Sequence, residues 1–209
     1  MSLPRTMMRL ALAGGASLLL IGCVSLFPKG KDAQLYTFVG PAAAAGTTDT
    51  TTSAMVVARG PIEFDSAAAS DRILTIDGAG GAAYIEASRW VSPAPVLFEE
   101  ALDRAFQRTK GAPRLVERGN LVRAPLLLTL DVQAFEARYD HGADAAPTVQ
   151  VSVRAVLIRS GDRTVVGDTM LTVAKPASDN RVGAIVQAYD GAVQDLLAQL
   201  ITWTSNAKT

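Results

Sequence analysis

Cysteine and histidine are almost missing from this sequence, and their scarcity excludes several kinds of site. Cys23 is the only cysteine and His141 the only histidine among 209 residues. A single cysteine cannot form an intrachain disulfide, so packing alone must hold the fold together. A single imidazole without further histidine or cysteine ligands does not indicate a zinc site or a catalytic triad, and we interpret His141 as structural or incidental.

An excess of charge of either sign is missing as well. The 20 basic residues of the chain balance the 20 acidic residues. A nucleic-acid-binding domain needs a basic stripe, so this balance argues against a nucleic acid partner. It also argues against a strongly basic patch that would bind a membrane surface.

Catalytic motifs are also missing. No serine lies in a Gly-x-Ser-x-Gly elbow, and no aspartate-rich run resembles a calcium loop. Residues 78–81 (Gly-Ala-Gly-Gly) lack the Lys-Ser/Thr of a P-loop, and Ala83 breaks the Gly-x-Gly-x-x-Gly spacing, so we interpret them as a hairpin turn. Glu99 and Glu100 point about 100° apart on a helix and cannot act as a carboxylate pair. The sequence therefore predicts no catalytic residue, no metal site and no cofactor.

The most informative feature that is present is an apolar N-terminal segment ending at the cysteine. Residues 10–21 form an apolar run of 12 residues, too short to span a bilayer as a helix, and Arg5 and Arg9 precede it. The run ends in a lipobox, at which a bacterial signal peptide is cleaved and the new N-terminal cysteine is acylated: Leu20, Ile21, Gly22 and Cys23. The alternative is a free or buried cysteine beside a signal-anchor helix, which suits this arrangement less well.

This N-terminus divides the chain into three parts. We expect residues 1–22 to be the lipoprotein signal peptide, residues 23–33 a lipidated tether and residues 34–209 one domain with its own core. Two or three acyl chains on Cys23 would anchor the protein firmly. Val24 is not the aspartate that retains many Gram-negative lipoproteins at the inner membrane. We therefore expect the protein on the inner leaflet of the outer membrane, facing the periplasm.

Alternating apolar and polar residues predict six or seven strands, and residues 41–53 are expected to form a loop. The second strand is expected to end at Gly60-Pro61, and the last three to form an antiparallel meander. Phe135 is out of phase with Val132, so a β-bulge is predicted between them. The predicted strands cover residues 34–39, 54–59, 72–76, 82–87, 126–133, 149–157 and 164–174.

Apolar residues spaced by three and four predict two amphipathic helices. The first would begin at an N-cap Ser92, with Pro93 in its first position, and end at Gly111. The second is expected from about Asp179 to Ser205. A heptad seam with a partner would look like its apolar stripe, but we favour packing on the chain's own sheet. The stripe contains Val182, Val186, Tyr189, Val193, Leu196 and Leu200.

The expected fold is therefore α+β, with a mostly antiparallel or mixed sheet and both amphipathic helices packed on one face. Trp90, at a strand-to-helix corner, is interpreted either as a core residue or as a partly exposed anchor for a partner. The other sheet face should be wetter, and it is either a protein-binding surface or simply solvated. Its polar residues are Thr129, Asp131, Gln133, Gln150, Ser152 and Arg154.

Taken together, these segments resemble the ABC-type transport auxiliary lipoprotein family, the PqiC-like proteins that accompany Mce-type lipid transport systems. The resemblance covers essentially the whole chain after Gly22 and includes no catalytic signature. It rests on the lipobox at Cys23 and on the order and spacing of residues 34–38, 84–95 and 128–136 before the long C-terminal helix.

The resemblance implies a non-enzymatic adaptor that docks a periplasmic Mce conduit at the outer membrane. The implied partners are an Mce-domain protein with its ABC permease and ATPase, outer-membrane lipid through the acyl anchor, and further copies of the chain in a ring. The alternative is a lipid-binding carrier with its own apolar cavity. A cavity lined by residues 126–132 and the last helix would favour the carrier, whereas a filled core would favour the adaptor. The missing catalytic residues disfavour a third class, a lipid-anchored hydrolase.

The lipobox assignment predicts the outcome of replacing the cysteine. Cys23→Ala removes the thiol that receives the diacylglycerol, so the variant should accumulate as unprocessed precursor. Electrophoretic mobility and labelling with radioactive palmitate measure both steps. A variant that is still cleaved before residue 23 and still incorporates palmitate would contradict the assignment.

Overall fold

The computed structural model describes residues 33–38, 55–117 and 123–207, and the chain forms one mixed sheet of eight strands and two helices in these ranges. This is the α+β architecture expected from the sequence. The predicted signal peptide, the lipobox and the predicted loop at 41–53 lie outside the described residues. The strands and helices follow in this order: β1 (Gln34–Tyr36), β2 (Val56–Phe64), β3 (Arg72–Asp77), β4 (Ala82–Trp90), α1 (Ala94–Arg108), β5 (Arg114–Glu117), β6 (Leu126–Tyr139), β7 (Thr148–Arg159), β8 (Val165–Pro176) and α2 (Val182–Ser205).

The longest strand, β6, organises the sheet. On one side it pairs antiparallel with β7, which pairs antiparallel with β8, so the predicted meander is confirmed. On its other side β6 pairs parallel with two strands in succession. Residues 126–132 lie beside β2, and residues 137–139 lie beside β3. The sheet therefore forks at β6, with one branch running from β2 to β5 and the other from β3 through β4 to β1.

The predicted β-bulge lies at this fork. The register of β6 against β7 shifts between Val132 and Ala134, so Gln133 is the extra residue. A bulge inserts one residue and resets the alternation of side chains. Val132 and Phe135 consequently both point into the core, where they are 0% and 2% exposed.

Both helices pack on one face of the sheet, which we call the inner face. The apolar stripe of α2 lies on this face, with Tyr189, Val193, Leu196 and Leu200 each 0% exposed. Burial of the stripe against the chain's own sheet confirms the favoured interpretation and leaves no heptad seam for a partner. Alternate residues of β6 and β7 form the opposing layer: Leu126, Leu128, Leu130, Val132, Val149, Val151, Val153, Ala155 and Leu157.

Several predicted element boundaries are wrong, including the start of α1 and the end of β2. Helix α1 has Pro93 as its N-cap residue, with no side-chain cap, so Ser92 lies one position too early. Strand β2 does not end at Gly60-Pro61 but continues to Phe64, with a register shift against β6 between Arg59 and Ile62. Proline lacks an amide hydrogen, and an irregularity of this kind accommodates it within a strand.

One strand was not predicted. The four residues of β5 pair in parallel with the start of β2, between Val56 and Arg59. The run of four residues is too short for a recognisable alternation, so its strand conformation depends on the neighbour that the fold brings to it.

The packing of α2 predicts a large effect of a charge at the centre of its stripe. Leu196→Asp places a carboxylate at a position that is 0% exposed, so it should lower the free energy of unfolding by several kcal/mol. Gln199→Asp, on the exposed side of the same helix, is the matched control and should change stability little. Chemical denaturation measures both. Equal midpoints for the two variants would show that α2 is not packed on the sheet.

Candidate functional site

Trp90 lies in the core. Its side chain is 2% exposed, and its ring meets Phe38 and Tyr189 edge to face at centroid distances of 5.3 and 5.2 Å. Its amide donates a hydrogen bond to the carbonyl of Asp71 at 2.7 Å, which fixes the end of β4. This placement agrees with the core interpretation. The interpretation of Trp90 as an exposed anchor is wrong for the described structure, because the indole presents almost no surface.

Tyr189 completes the same aromatic cluster from α2. Its ring lies 4.9 Å from that of Phe135, and its hydroxyl donates a hydrogen bond to the carbonyl of Leu74 at 3.2 Å. Complete burial raises the pKa of Tyr189 well above its ordinary value, because the phenolate would be desolvated. The group is therefore neutral and acts as a structural hydrogen-bond donor.

The glycine segment after β3 is a closed hairpin turn, as expected. The carboxylate of Asp77 accepts hydrogen bonds from the amides of Ala79 and Gly81 at 2.9 and 2.7 Å. These amides are the groups that would have to hold a phosphate. Gly80 has a positive φ of 85°, and a side chain at Gly81 would press on Asp77 at 2.5 Å. The turn therefore requires Gly80 for its backbone conformation and Gly81 for the space beside Asp77.

The described residues contain no group of three or more histidine, cysteine, aspartate and glutamate side chains that could hold a metal ion. His141 is exposed in the loop between β6 and β7. No helix in the described ranges is both long and apolar enough to cross a membrane.

Two open concavities lie away from the inner core. The larger, of about 640 Å³, lies between the Asp77–Gly81 turn and the start of the β6–β7 loop. The smaller, of about 450 Å³, lies beside Arg59. The guanidinium of Arg59 pairs with Glu99 of α1, and lies 3.8 Å from Asp103 and 3.7 Å from Glu117. This ion-pair group ties β2 to α1 and β5.

The face of the sheet opposite the helices, which we call the outer face, carries all the predicted polar residues of β6 and β7. Their exposure varies. Gln133 and Arg154 are exposed. Ser152 is only 8% exposed, and its hydroxyl lies 3.0 Å from that of Thr172 on β8. The side-chain amide of Gln133 donates a hydrogen bond to the carboxylate of Asp131 at 2.9 Å. This contact holds the bulged residue on the outer face.

A two-point ion pair on the outer face joins β7 to β8. The guanidinium of Arg154 donates two hydrogen bonds to Asp168, at 3.1 and 2.6 Å. These hydrogen bonds lower the pKa of Asp168, because they stabilise its ionised form. A two-point Arg–carboxylate contact has a fixed geometry. The outer face is thus an ordered polar surface.

Strand β8 was predicted as the last strand of the meander, but its place at an edge of the sheet was not predicted. It pairs only with β7 among the described residues, so its other side is an edge. Met170, at the middle of the strand, is 49% exposed, and Val165, at its start, is 60% exposed. A long edge strand with exposed apolar residues is a site where another strand can pair.

The burial of Trp90 predicts a fluorescence experiment. Trp90 and Trp203 are the only tryptophans, so Trp203→Phe leaves Trp90 as the sole emitter. Trp90 should emit at short wavelength and resist acrylamide quenching, because its indole lies inside the aromatic cluster. The matched variant Trp90→Phe reports half-buried Trp203, which should be quenched more strongly. Quenching of Trp90 at the rate of a free indole would contradict the core placement.

The fold is shared with solved structures of low sequence identity. The chain is similar to protein XCC0632 of family DUF330 from Xanthomonas campestris, with a TM-score of 0.70, 21% identity, and coverage of 82% of this chain and 95% of that one. It is also similar to hypothetical protein CT253 from Chlamydia trachomatis, with a TM-score of 0.53, 11% identity, and coverage of 73% and 96% respectively. No curated protein matches the sequence.

The family comparison covers nearly the whole domain. The family described as the ABC-type transport auxiliary lipoprotein component matches residues 36–201, from the end of β1 into the last turns of α2. This description is of an auxiliary transport component and not of an enzyme family. The match confirms the resemblance found in the sequence: the chain belongs to the ABC-type transport auxiliary lipoprotein family.

Proposed function

We propose that this protein is a non-enzymatic adaptor of an Mce-type intermembrane lipid transport system, and that it docks the periplasmic conduit at the outer membrane. The observation that carries the proposal is the family match over residues 36–201, which runs from the last residue of β1 into α2 and so covers nearly the whole domain. In this proposal the chain contributes binding surfaces, and the permease, the ATPase and the Mce-domain protein move the lipid.

The packing of the inner face favours an adaptor over a lipid carrier. A carrier would need an apolar cavity between residues 126–132 and α2. Leu126, Leu128 and Leu130 are instead 0–3% exposed and belong to the same packed core as Leu196 and Leu200 of α2. Neither of the two concavities is lined by these residues. An acyl chain could enter this region only by displacing core side chains, at the cost of their packing.

The outer face is the surface that we assign to protein contacts. Both helices cover the inner face, so the outer face is the side of the sheet that a partner can reach. Its ordered polar groups suit a non-obligate interface, which is about as polar as the rest of a protein surface. Arg154 is exposed and held by Asp168, so a partner would meet it already oriented. The partners in this proposal are the Mce-domain protein and further copies of the chain.

The anchor in this proposal is the acylated Cys23. Val24 does not match the inner-membrane retention signal, so we place the protein on the inner leaflet of the outer membrane, with the domain in the periplasm. The tether leads directly to β1, which pairs with the end of β4 between Ser88 and Trp90.

Site-specific photocross-linking in cells tests the docking surface. A photoreactive amino acid at Gln133 should cross-link to the Mce-domain protein, because Gln133 is exposed on the outer face. The matched control is Gln199, which is also exposed but lies on the solvent side of α2. Mass spectrometry identifies the captured protein. A Cys23→Ala background should reduce the cross-link, because the precursor does not reach the outer membrane.

Two outcomes would overturn the proposal. The first is a failure to capture an Mce-domain protein from the outer face while the control captures it. The second is stoichiometric phospholipid that co-purifies with the full chain and resists detergent exchange, which would favour the carrier.

A further inference from the structure

We propose that the domain contacts the lipid surface of its membrane through one uncharged corner, which we call the entry corner. This corner consists of β1 and of residues 91–96, which lead from β4 into α1. The proposal rests on the proposed function in one respect, the acyl anchor at Cys23. It is independent of any Mce-domain partner.

Exposed apolar side chains are concentrated at the entry corner. Five large apolar side chains are exposed in the described ranges, and three of them belong to this corner. Leu35 is 59% exposed, Val91 50% and Val96 44%. Pro93, between the last two, is exposed as well. Single exposed apolar residues are common on protein surfaces, but a group of them at one place marks a surface for a partner or a membrane.

Hydrogen bonds hold the two segments of the entry corner together. Strand β1 pairs in parallel with the end of β4. The amide of Val91, the first residue after β4, donates to the carbonyl of Tyr36 at 2.8 Å. The amide of Ala94, the first residue of α1, donates to the carbonyl of Ser70 at 3.0 Å. The two segments are thus fixed next to each other, and α1 begins at the same corner.

The connection from β4 into α1 also satisfies its backbone donors. Besides the two amides just described, the amides of Val96 and Leu97 both donate to the carbonyl of Pro93, at 2.9 and 3.2 Å. Pro93 and Pro95 have no amide hydrogen. A surface that meets lipid must not leave such donors without a partner, because hydrocarbon cannot accept a hydrogen bond. These donors would therefore lose nothing at a lipid surface.

Free charge is missing from the entry corner as well. No residue of β1 is charged, and none between Val91 and Phe98 is charged. The charged residues that border the corner are paired within the chain. Arg89 lies 2.9 Å from Asp71, and Glu99 pairs with Arg59. Since an unpaired charge is costly to remove from water, this corner can approach lipid at a lower cost than a charged surface.

The position of the anchor favours a membrane as the occupant. The described domain begins at Ala33, directly before β1, and Cys23 precedes it by ten residues. Ten residues span at most about 35 Å, so Ala33 stays within that distance of the acylated sulfur. The other two exposed apolar side chains, Val165 and Met170, lie on β8, five strand spacings or about 24 Å from β1. The apolar corner is therefore the one to which the anchor is attached.

Fluorescence quenching tests the proposal with the full acylated chain. The chain is reconstituted through its anchor into vesicles of phosphatidylcholine, whose head groups carry no net charge, and its intact mass reports acylation. Acylation leaves Cys23 without a thiol, so an environment-sensitive fluorophore reacts only with an introduced cysteine. Val91→Cys and Val96→Cys report on the entry corner. Val165→Cys and Met170→Cys are the controls, because these side chains are similarly exposed but lie on β8.

The labels at the entry corner should lie at the boundary between head groups and acyl chains, where apolar protein surface settles in a membrane. They should emit at shorter wavelength than the labels on β8. A nitroxide carried on the phospholipid acyl chains should quench them several-fold more strongly than it quenches the labels on β8. Iodide in the aqueous phase should quench the four labels in the opposite order.

A double substitution separates lipid contact from mere nearness to the anchor. Leu35→Ser with Val91→Ser removes apolar surface from the entry corner and keeps the tether. Both side chains are exposed, so the midpoint of unfolding should not change. Nitroxide quenching of the label at Val96→Cys should fall several-fold in this variant. Val165→Ser is the matched control and should leave that quenching unchanged.

Three results would overturn the proposal. The first is equal nitroxide quenching of the four labels, and the second is quenching at Val96→Cys that the double substitution does not lower. The third is a label at the entry corner that neither quencher reaches, because another copy of the chain would then cover it instead of lipid.

The proposal and the proposed function can fail separately. The vesicles contain no Mce-domain protein, so their result does not depend on what Gln133 cross-links to in cells. An intact mass without acyl groups would overturn the anchor and the lipid contact together. The cross-link from Gln133 would still decide whether the outer face docks an Mce-domain protein.

Discussion

The structure depends on the packing of aromatic side chains where the sheet forks. Strand β6 serves two branches, and the bulge at Gln133 turns Phe135 into the space between them. The rings around it come from separate parts of the chain: Phe38 after β1, Phe64 of β2, Trp90 of β4 and Tyr189 of α2. Aromatic pairs in such orientations contribute about 0.5–1.5 kcal/mol beyond the area they bury. The cluster therefore joins the covering helix to the two branches, which both pair with β6 but not with each other.

Local periodicity was sufficient to predict the long elements, because each buries one full side against the core. The alternation in β6 and β7 and the stripe of α2 have matching burial in the structure, and so does the phase break before Phe135. The fork, the parallel pairings and β5 were not predictable in this way. Each depends on which strand becomes a neighbour, and residues far apart in the chain decide that. The continuation of β2 past Pro61 is another case, since β6 supplies the ladder that local propensity argues against.

The candidate site was predicted to a similar extent. The six polar residues of β6 and β7 do lie on one outer face, because period-two alternation places them there. Their contacts were not predictable: Arg154 is held by Asp168 and Ser152 by Thr172, and both partners come from β8. The edge at β8 is a property of the sheet order, so no pattern within residues 165–176 could reveal it. For Trp90 the sequence left two interpretations open, because tryptophan is found both in protein cores and in binding hot spots.

One face of the sheet is covered by helices and the other is not, and this difference determines which surfaces a protein partner can contact. The inner face is filled by its own helices, so a partner must use the outer face or an edge, where single contacts are weak. A lipid anchor changes the consequence of that weakness. Copies of a lipoprotein held on one membrane surface meet at a high effective concentration, so a contact too weak to persist in solution can persist there. The adaptor that we propose therefore needs no large apolar patch, and the ordered polar outer face agrees with this.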